Sequence, residues 1–315
     1  MTRVAIFERF LRENQAVQLY GKLPLAKDYL RVGANKGNAR ALREWLDAAF
    51  SMRASQSGVT RFPWPARFVI GEGTDEPVMG SVWPSSDTGG ERPFPFAVFL
   101  ERRRKPLANS FAEGFRGLRE VWSRLEDCYE QRGEFRDGES FLAGMRGREI
   151  PIRSEAHESL ERIRWETWTG VLWPDEPNEG LVRVLTSLHR LSNERGHAPI
   201  RLPLVGDLPG LPQVHAWWSA LVGTRLCPPT EVPTVFFPRA AIDADESAFC
   251  VFFRAPLRAE DAQWLNSARG QANLGRSDFC IGPPRFAGEA EPATDAMATL
   301  ADSMRGALAS ARART

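Results

Sequence analysis

Apolar residues recur along the first half of the chain in two patterns, as short runs and as helical stripes. Three short runs bounded by turn residues predict strands at 66–70, 78–83 and 94–100. The links between these runs are too short for a crossover helix, so we expect neighbouring strands to pair antiparallel. Stripes of apolar residues at helical spacing predict helices at 38–50 and at 110–132.

The same mixture of elements continues to the end of the chain. Asn38 is the expected N-cap of the helix that it begins. A change of pattern near residues 147–154, together with the length of 315 residues, predicts two domains at 1–147 and 148–315. The other predicted elements are a helix at 1–13, a strand at 15–20, a helical turn at 141–145, helices at 155–168, 181–195, 211–222 and 259–267, strands at 200–205, 234–237 and 248–253, and a helical tail from residue 293.

Two short segments resemble each other and raise the question of an internal repeat. KLPLAKD at 22–28 and RLPLVGD at 201–207 are each followed by a predicted Trp-bearing helix and two strands. Either the chain contains two diverged copies of one domain, or both segments are Leu-Pro turns where strands end. In both cases we interpret Asp28 and Asp207 as caps of backbone N–H groups rather than as catalytic acids.

Composition narrows the classes of partner that we expect. The 41 basic and 40 acidic residues give a formal net charge of +1. This charge does not indicate a nucleic acid or an anionic membrane as a binding partner. The first residues contain no apolar stretch as long as a signal peptide or membrane span, so we expect a cytoplasmic protein without membrane insertion. The 10 Trp and 19 Phe favour aromatic cores, and an exposed subset of them would form a protein-binding hot spot.

The usual signatures of catalysis and metal binding are missing from the sequence. It contains no P-loop, no H-E-x-x-H or G-x-S-x-G motif, and no metal-ligand spacing among its four Cys and four His. We therefore expect no enzyme, no metal and no cofactor. Ser85 and Asp87 at a strand end keep a hydrolase as the weakest alternative, and it would require a His brought in from elsewhere.

Several motifs in the same order between residues 16 and 100 resemble those of the TagF (ImpM) family. The opening segment LYGKLPLAKDYLR is similar to the family's Gly-Lys-Leu-Pro-x-x-Gly-Asp-Phe motif, with Lys27 in place of the second Gly. REWLDAAF at 43–50 and PARFVIGEG at 65–73 resemble its Trp-Leu helix and its Arg-Phe strand.

Residues 78–99 resemble the family's Pro-Ser-x-Asp-x-x-Gly-Arg-x-Phe-Pro segment, with one extra residue within 91–93. PTVFFP at 233–238 is similar to the C-terminal extension of longer family members. The residues that match the first and last motifs are Gly21, Lys22, Leu23, Pro24, Asp28, Tyr29, Pro84, Ser85, Asp87, Gly90, Arg92, Phe94 and Pro95.

The resemblance implies both a fold and a role. TagF-like proteins are α/β sandwiches around a mostly antiparallel sheet, so the expected fold class is α/β (α+β), here with a second α/β domain. They are cytosolic accessory factors of bacterial type VI secretion that generally restrain the apparatus after translation and are linked to its forkhead-associated scaffold. We expect the matching residues to contact that scaffold, or a sheath or baseplate component. The alternative is a structural or adaptor component of the assembly, and the oligomeric state stays open.

Overall fold

The computed structural model describes residues 12–51, 61–62, 64–71, 77–101, 111–153, 200–204, 234–238, 248–253, 257–262 and 265. The predicted helix at 1–13 lies outside these residues except for Arg12 and Glu13, which belong to a strand. Also outside them are the helices predicted at 155–168, 181–195 and 211–222, the helical tail, Asp207 and all four His.

The described residues form ten strands, three α-helices and two short 3-10 helices. The strands are β1 (Arg12–Ala16), β2 (Gln18–Gly21), β3 (Leu30–Val32), β4 (Ala66–Ile70), β5 (Val78–Trp83), β6 (Phe96–Glu101), β7 (Glu149–Arg153), β8 (Ile200–Leu204), β9 (Thr234–Pro238) and β10 (Ala248–Phe253). The α-helices are α1 (Gly37–Phe50), α2 (Phe111–Glu130) and α3 (Gly138–Met145), and short 3-10 helices span Gln131–Glu134 and Ala259–Asp261.

Several element boundaries differ from the predicted ones. The strand predicted at 15–20 is divided between β1 and β2, and α3 begins three residues before the helical turn predicted at 141–145. Two further differences have a local cause. β6 begins two residues later than predicted because Pro93 and Pro95 have no amide hydrogen to pair with a neighbouring strand. The N-cap prediction for Asn38 is wrong, because α1 already begins at Gly37 with Lys36 as its cap. Asn38 lies inside the first turn and is buried, so its side chain packs into the protein instead of covering the helix end.

Eight strands form one sheet in the order β3-β2-β6-β5-β4-β9-β10-β8. Every neighbouring pair in this sheet is antiparallel, as the short links between the strands predict. β1 and β7 form a separate antiparallel pair.

Helices pack on both faces of the sheet, which confirms the predicted sandwich and its α+β class. Alternate residues of β4 show how the faces divide. Ala66 and Phe68 lie in one buried cluster with Trp45 of α1, whereas Arg67 points the other way and pairs with Glu126 of α2.

Strands on both sides of the predicted domain boundary at residue 147 pair with one another. β7 pairs with β1, and β9 joins the sheet beside β4. The indole N–H groups of Trp45 and Trp64 donate to the carbonyl oxygens of Arg258 and Leu265, both at 2.9 Å. Residues from the C-terminal half therefore complete the core of the first half, and the division into domains 1–147 and 148–315 stays a prediction.

The order of the central strands bears on the possible repeat. β4 and β9 lie side by side and β5 and β10 flank them, an arrangement that two copies related by a twofold rotation would give. Outside these four strands the halves differ, because β8 pairs directly with β10 whereas β6 separates β2 from β5. Leu202 and Pro203 lie within β8, so the interpretation of the second segment as a strand-exit turn is wrong. The duplication itself stays a prediction.

Candidate functional site

The two segments that carry the matching motifs meet at one end of the sheet. β2 and β6 pair antiparallel with Gly21 opposite Phe96, and Trp83 at the end of β5 also lies opposite Phe96. The loop that leaves β2, residues 22–29, and the loop that enters β6, residues 84–95, therefore emerge side by side. We call these two loops the two-loop surface. It brings together the residues that the sequence singled out, with Gly21 at its base.

Position 21 requires glycine because the backbones of β2 and of the second loop approach each other closely there. Its φ of +135° is a conformation that residues with side chains rarely adopt, and an added Cβ would lie 2.0 Å from the carbonyl oxygen of Pro95. The family motif has Gly at the position of Lys27, but the backbone conformation of this chain does not require glycine there. The turn closes earlier, with the Ala26 N–H donating to the Leu23 carbonyl oxygen at 3.1 Å, and the backbone at Lys27 has no positive φ.

Hydrogen bonds join the two loops directly. The Thr88 N–H donates to the Ala26 carbonyl oxygen at 3.1 Å. The guanidinium of Arg92 donates both to the Asp87 carboxylate and to the Lys27 carbonyl oxygen, so one side chain spans both loops. The hydrogen bond from Arg92 lowers the pKa of Asp87, and the same contact raises the pKa of Arg92. Both groups are therefore charged at neutral pH and form a latch between the loops.

The second loop is a compact hairpin that holds its own shape. The Phe94 N–H donates to the Ser85 carbonyl oxygen, and the Gly90 N–H donates to the Asp87 carbonyl oxygen, both at 2.9 Å. Gly90 has a φ of +72°, in the left-handed region that Gly adopts without strain. Asp87 also accepts from the Arg92 N–H at 3.4 Å, so its carboxylate organises the hairpin.

The capping role predicted for Asp28 is wrong. Its carboxylate is exposed and accepts no hydrogen bond within the described part of the chain. The turn needs no such cap because the backbone bond from Ala26 to Leu23 closes it. Asp28 is thereby left at the surface, where a partner can reach it.

An aromatic cluster supports the exposed side of the two-loop surface. The Tyr29 ring stacks on Tyr20 at 5.7 Å between centroids and meets Phe94 edge to face at 4.7 Å. Tyr20 and Phe94 are buried, whereas Tyr29 is 42% exposed and is the exposed large hydrophobic residue among the described side chains. A rigidly seated Tyr at a surface is a typical anchor of protein–protein interfaces.

The base of the aromatic cluster is tied to α1. The Tyr20 hydroxyl donates to Asp47 Oδ1 at 2.5 Å. Burial, followed by this hydrogen bond, raises the pKa of Tyr20, and burial also raises the pKa of Asp47. Burial and the nearby Asp47 charge likewise raise the pKa of Tyr29, so both tyrosines are neutral at physiological pH.

Lys22 packs against the aromatic cluster. The residue is only 4% exposed, and its Nζ is 4.9 Å from the centroid of the Tyr29 ring. Burial is the main cause that lowers the pKa of Lys22, followed by the charge of Arg92.

Helix α3 supports the first loop from the opposite side. The Gly138 N–H donates to the Leu25 carbonyl oxygen at 2.9 Å, and an added Cβ on Gly138 would lie 2.8 Å from the Ala26 Cβ. Asp137 caps the helix and forms a capping box with Ser140. Sequence reasoning missed this contact, although the Asp-Gly-Glu-Ser run was a readable helix start.

Within the described residues, the side chains of the two-loop surface are arranged for binding and not for catalysis. Asp87 is occupied by Arg92, and Ser85 contributes its backbone carbonyl oxygen to the hairpin. No group of His, Cys, Asp or Glu in the described part of the chain is arranged to hold a metal ion. Among the helices of those same residues, none is long and apolar enough to cross a membrane.

Comparison with known proteins identifies the region that contains the site. Residues 18–143 match the model of the TagF N-terminal domain, described as type VI secretion system-associated. The chain is also similar to the crystal structure of PA0076 from Pseudomonas aeruginosa PAO1, with 20% sequence identity and a TM-score of 0.41. That similarity covers 88% of this chain and 97% of the other. No curated protein matches the chain.

Proposed function

We propose that the chain is a non-catalytic accessory regulator of a type VI secretion system, because residues 18–143 match the model of the TagF N-terminal domain. In this proposal it acts in the cytoplasm, after translation, to restrain the apparatus. It does so by binding another protein of the system rather than by changing a substrate chemically.

One observation supports the proposal above all others: hydrogen bonds join the two loops that contain the motif residues into one surface. The Arg92 latch, the bond from Thr88 to Ala26 and the support from Gly138 hold the loops before any partner arrives. A surface that is organised in advance loses little conformational entropy on binding. Tyr29 is then the natural anchor, with Asp28 beside it.

The proposed partner is a protein of the same secretion system, either its forkhead-associated scaffold or a sheath or baseplate component. A hydrolytic role is disfavoured because the Asp87 carboxylate is neutralised by Arg92 and does not orient a base. The near-zero net charge also gives no reason to invoke nucleic acid.

The proposal is tested in the bacterium that encodes the chain, by deleting its gene and measuring secretion of the system's substrates into the medium. We expect secretion to rise on deletion and to return to the original level with the wild-type gene. Tyr29→Ala should fail to restore it, because the exposed anchor of the surface is lost.

Arg136→Ala is the matched control, because its side chain is 93% exposed at the neighbouring end of α3 and should restore secretion fully. Loss of secretion on deletion would contradict a restraining role and favour the structural or adaptor alternative. Unchanged secretion would reject both roles.

A further inference from the structure

Asp47 is an unfavourable residue for the helix that contains it. It lies in the last turn of α1, where the negative end of the helix dipole repels a carboxylate, and no basic residue of that turn offsets the charge. Aspartate is also a weaker helix former than the Leu and Ala residues of the same helix. Partial burial adds a desolvation cost, which raises the pKa of Asp47. Local helix chemistry therefore does not explain an aspartate at this position.

The hydrogen bond that the Asp47 side chain makes is with Tyr20. Its Oδ1 accepts from the Tyr20 hydroxyl at 2.5 Å, and within the described residues the carboxylate accepts no other hydrogen bond. Arg43, a cation that acts on Asp47, forms its ion pair with Glu44. Desolvation of both partners offsets much of what the hydrogen bond contributes, since an apolar pair would fill the same space without losing hydration. The bond therefore fixes the position of a side chain more than it stabilises the fold.

Tyr20 is the platform on which the exposed anchor rests. Tyr20 lies opposite Arg31 in the pair of β2 and β3, and Tyr29 precedes Arg31 by two positions, so the two tyrosines are diagonal neighbours across the strands. Their rings stack with an interplanar angle of 9°, and Phe94 meets both rings nearly at right angles. This arrangement depends on the tilt of the Tyr20 ring. The hydroxyl is the end of that ring farthest from the backbone, and Asp47 holds it.

We propose that Asp47 is a positioning residue of the two-loop surface, because through the Tyr20 hydroxyl it fixes the ring that presents Tyr29 to the partner protein. This inference rests on the proposed docking function and adds to it a residue that lies outside both loops. A residue that departs from local folding preference is typical of a functional site. The gain for docking is rigidity, since an anchor that is already fixed loses less conformational entropy when the partner binds.

The first test measures the environment of each tyrosine ring by NMR in the full-length protein. The chain has three tyrosines, so ring-labelled tyrosine gives three sets of signals, which Tyr20→Phe and Tyr29→Phe assign. We expect Asp47→Leu to move the Tyr29 signals toward those of a free tyrosine, because the stacked rings no longer hold their places, and to leave Tyr129 of α2 unchanged. Asp47→Asn, whose amide oxygen can still accept from Tyr20, should largely restore the Tyr29 signals. Unmoved Tyr29 signals in Asp47→Leu would overturn the proposal.

The second test measures thermal unfolding of Asp47→Leu and secretion in the complemented deletion strain. Removal of a partly buried carboxylate from a helix end should leave the melting temperature unchanged or raise it. Secretion should nevertheless rise to the level given by Tyr29→Ala. Glu44→Leu is the matched control, because Glu44 is an acid of the same helix whose side chain is 57% exposed, and it should alter neither the Tyr29 signals nor secretion.

Two outcomes of the second test would overturn the proposal. A lower melting temperature with normal control of secretion would assign Asp47 to the fold alone, and displaced Tyr29 signals with normal secretion would show that the position of the ring does not matter for docking. If Asp47→Leu lowers both stability and control, Tyr20→Phe decides, because it removes the same hydrogen bond and keeps the ring. Unchanged secretion on gene deletion would instead reject the regulatory function, whereas the Tyr29 signals test the positioning by themselves, so the two failures are distinguishable.

Discussion

Two buried charged sites on the sheet are built in opposite ways. Beneath α2, Arg67 donates to both carboxylate oxygens of Glu126 at 2.7 and 3.0 Å, and the Ser81 hydroxyl donates to the same carboxylate at 3.1 Å. In the two-loop surface, Lys22 contacts the Tyr29 ring and makes no such bonds among the described residues. The first site pairs opposite charges inside the fold, whereas the second places a cation against an aromatic ring.

The contrast teaches that a match to a family motif does not by itself define a role. Arg67 and Lys22 both belong to motif segments that resemble the TagF family. Their surroundings separate them, because a bidentate pair on a buried carboxylate stabilises the fold once both partners are present. Lys22 forms no such pair within the described residues, so it adds no comparable stabilisation.

The largest effect expected from this comparison comes from Arg67→Met. The change removes the guanidinium of Arg67 from the buried Glu126 carboxylate, and we expect a loss of about 3–5 kcal/mol in the free energy of unfolding. Urea unfolding followed by Trp fluorescence measures it. The same replacement at Lys22 should cause no loss.

Arg124→Met on α2 is the control for Arg67→Met, because Arg124 forms a partly exposed pair with Glu120 whose removal should change stability by less than about 1 kcal/mol. Equal losses from Arg67→Met and Lys22→Met would abolish the distinction between the two sites.

An intermediate effect is expected from Gly21→Ala. The new methyl group would overlap the Pro95 carbonyl oxygen and the residue would hold a positive φ, so we expect a loss of at least about 2 kcal/mol. Hydrogen exchange should show the loss concentrated in the two loops and β6. Gly133→Ala is the control, since Gly133 has open space around it and no positive φ. Unaltered exchange at the Thr88 amide would show that the loops do not depend on this close approach.

The smallest effect concerns the latch between Asp87 and Arg92. Because the folded-state pKa of Asp87 lies below its unfolded value of about 3.9, the contribution of the latch is fully present above that value. It is lost as the pH falls through the folded-state pKa. Asp87→Asn at neutral pH should mimic this loss, with faster exchange of the Thr88 and Arg92 amides and little change in melting temperature. Unchanged exchange in Asp87→Asn would exclude the latch as the link between the loops.

The sequence predicted local elements well because short-range patterns specify them. Apolar runs between turn residues defined β4, β5 and β10 at both ends. The residues of the two-loop surface came from the resemblance, and the antiparallel pairing of β2 and β6 explains why they meet.

Contacts between distant segments were not predictable from any local pattern. Arg67 and Glu126 are 59 positions apart, and Trp64 and Leu265 are 201 apart. No periodicity links such pairs, since their meeting depends on the order of the strands in the sheet. The contact of Lys22 with the Tyr29 ring was equally unpredictable, because it depends on the space around the side chain.

The pairing of β9 with β4 also bears on how the protein is made. Phe236 and Leu265 fill the same core as the α1 helix, so this core cannot close on the ribosome until the chain has been synthesised beyond residue 265. Until then the nascent chain displays an unpaired β4 edge and an open aromatic face, features that favour aggregation and recruit chaperones. The segment that carries the two-loop surface therefore emerges early, but the core behind it closes only after residue 265 has been synthesised.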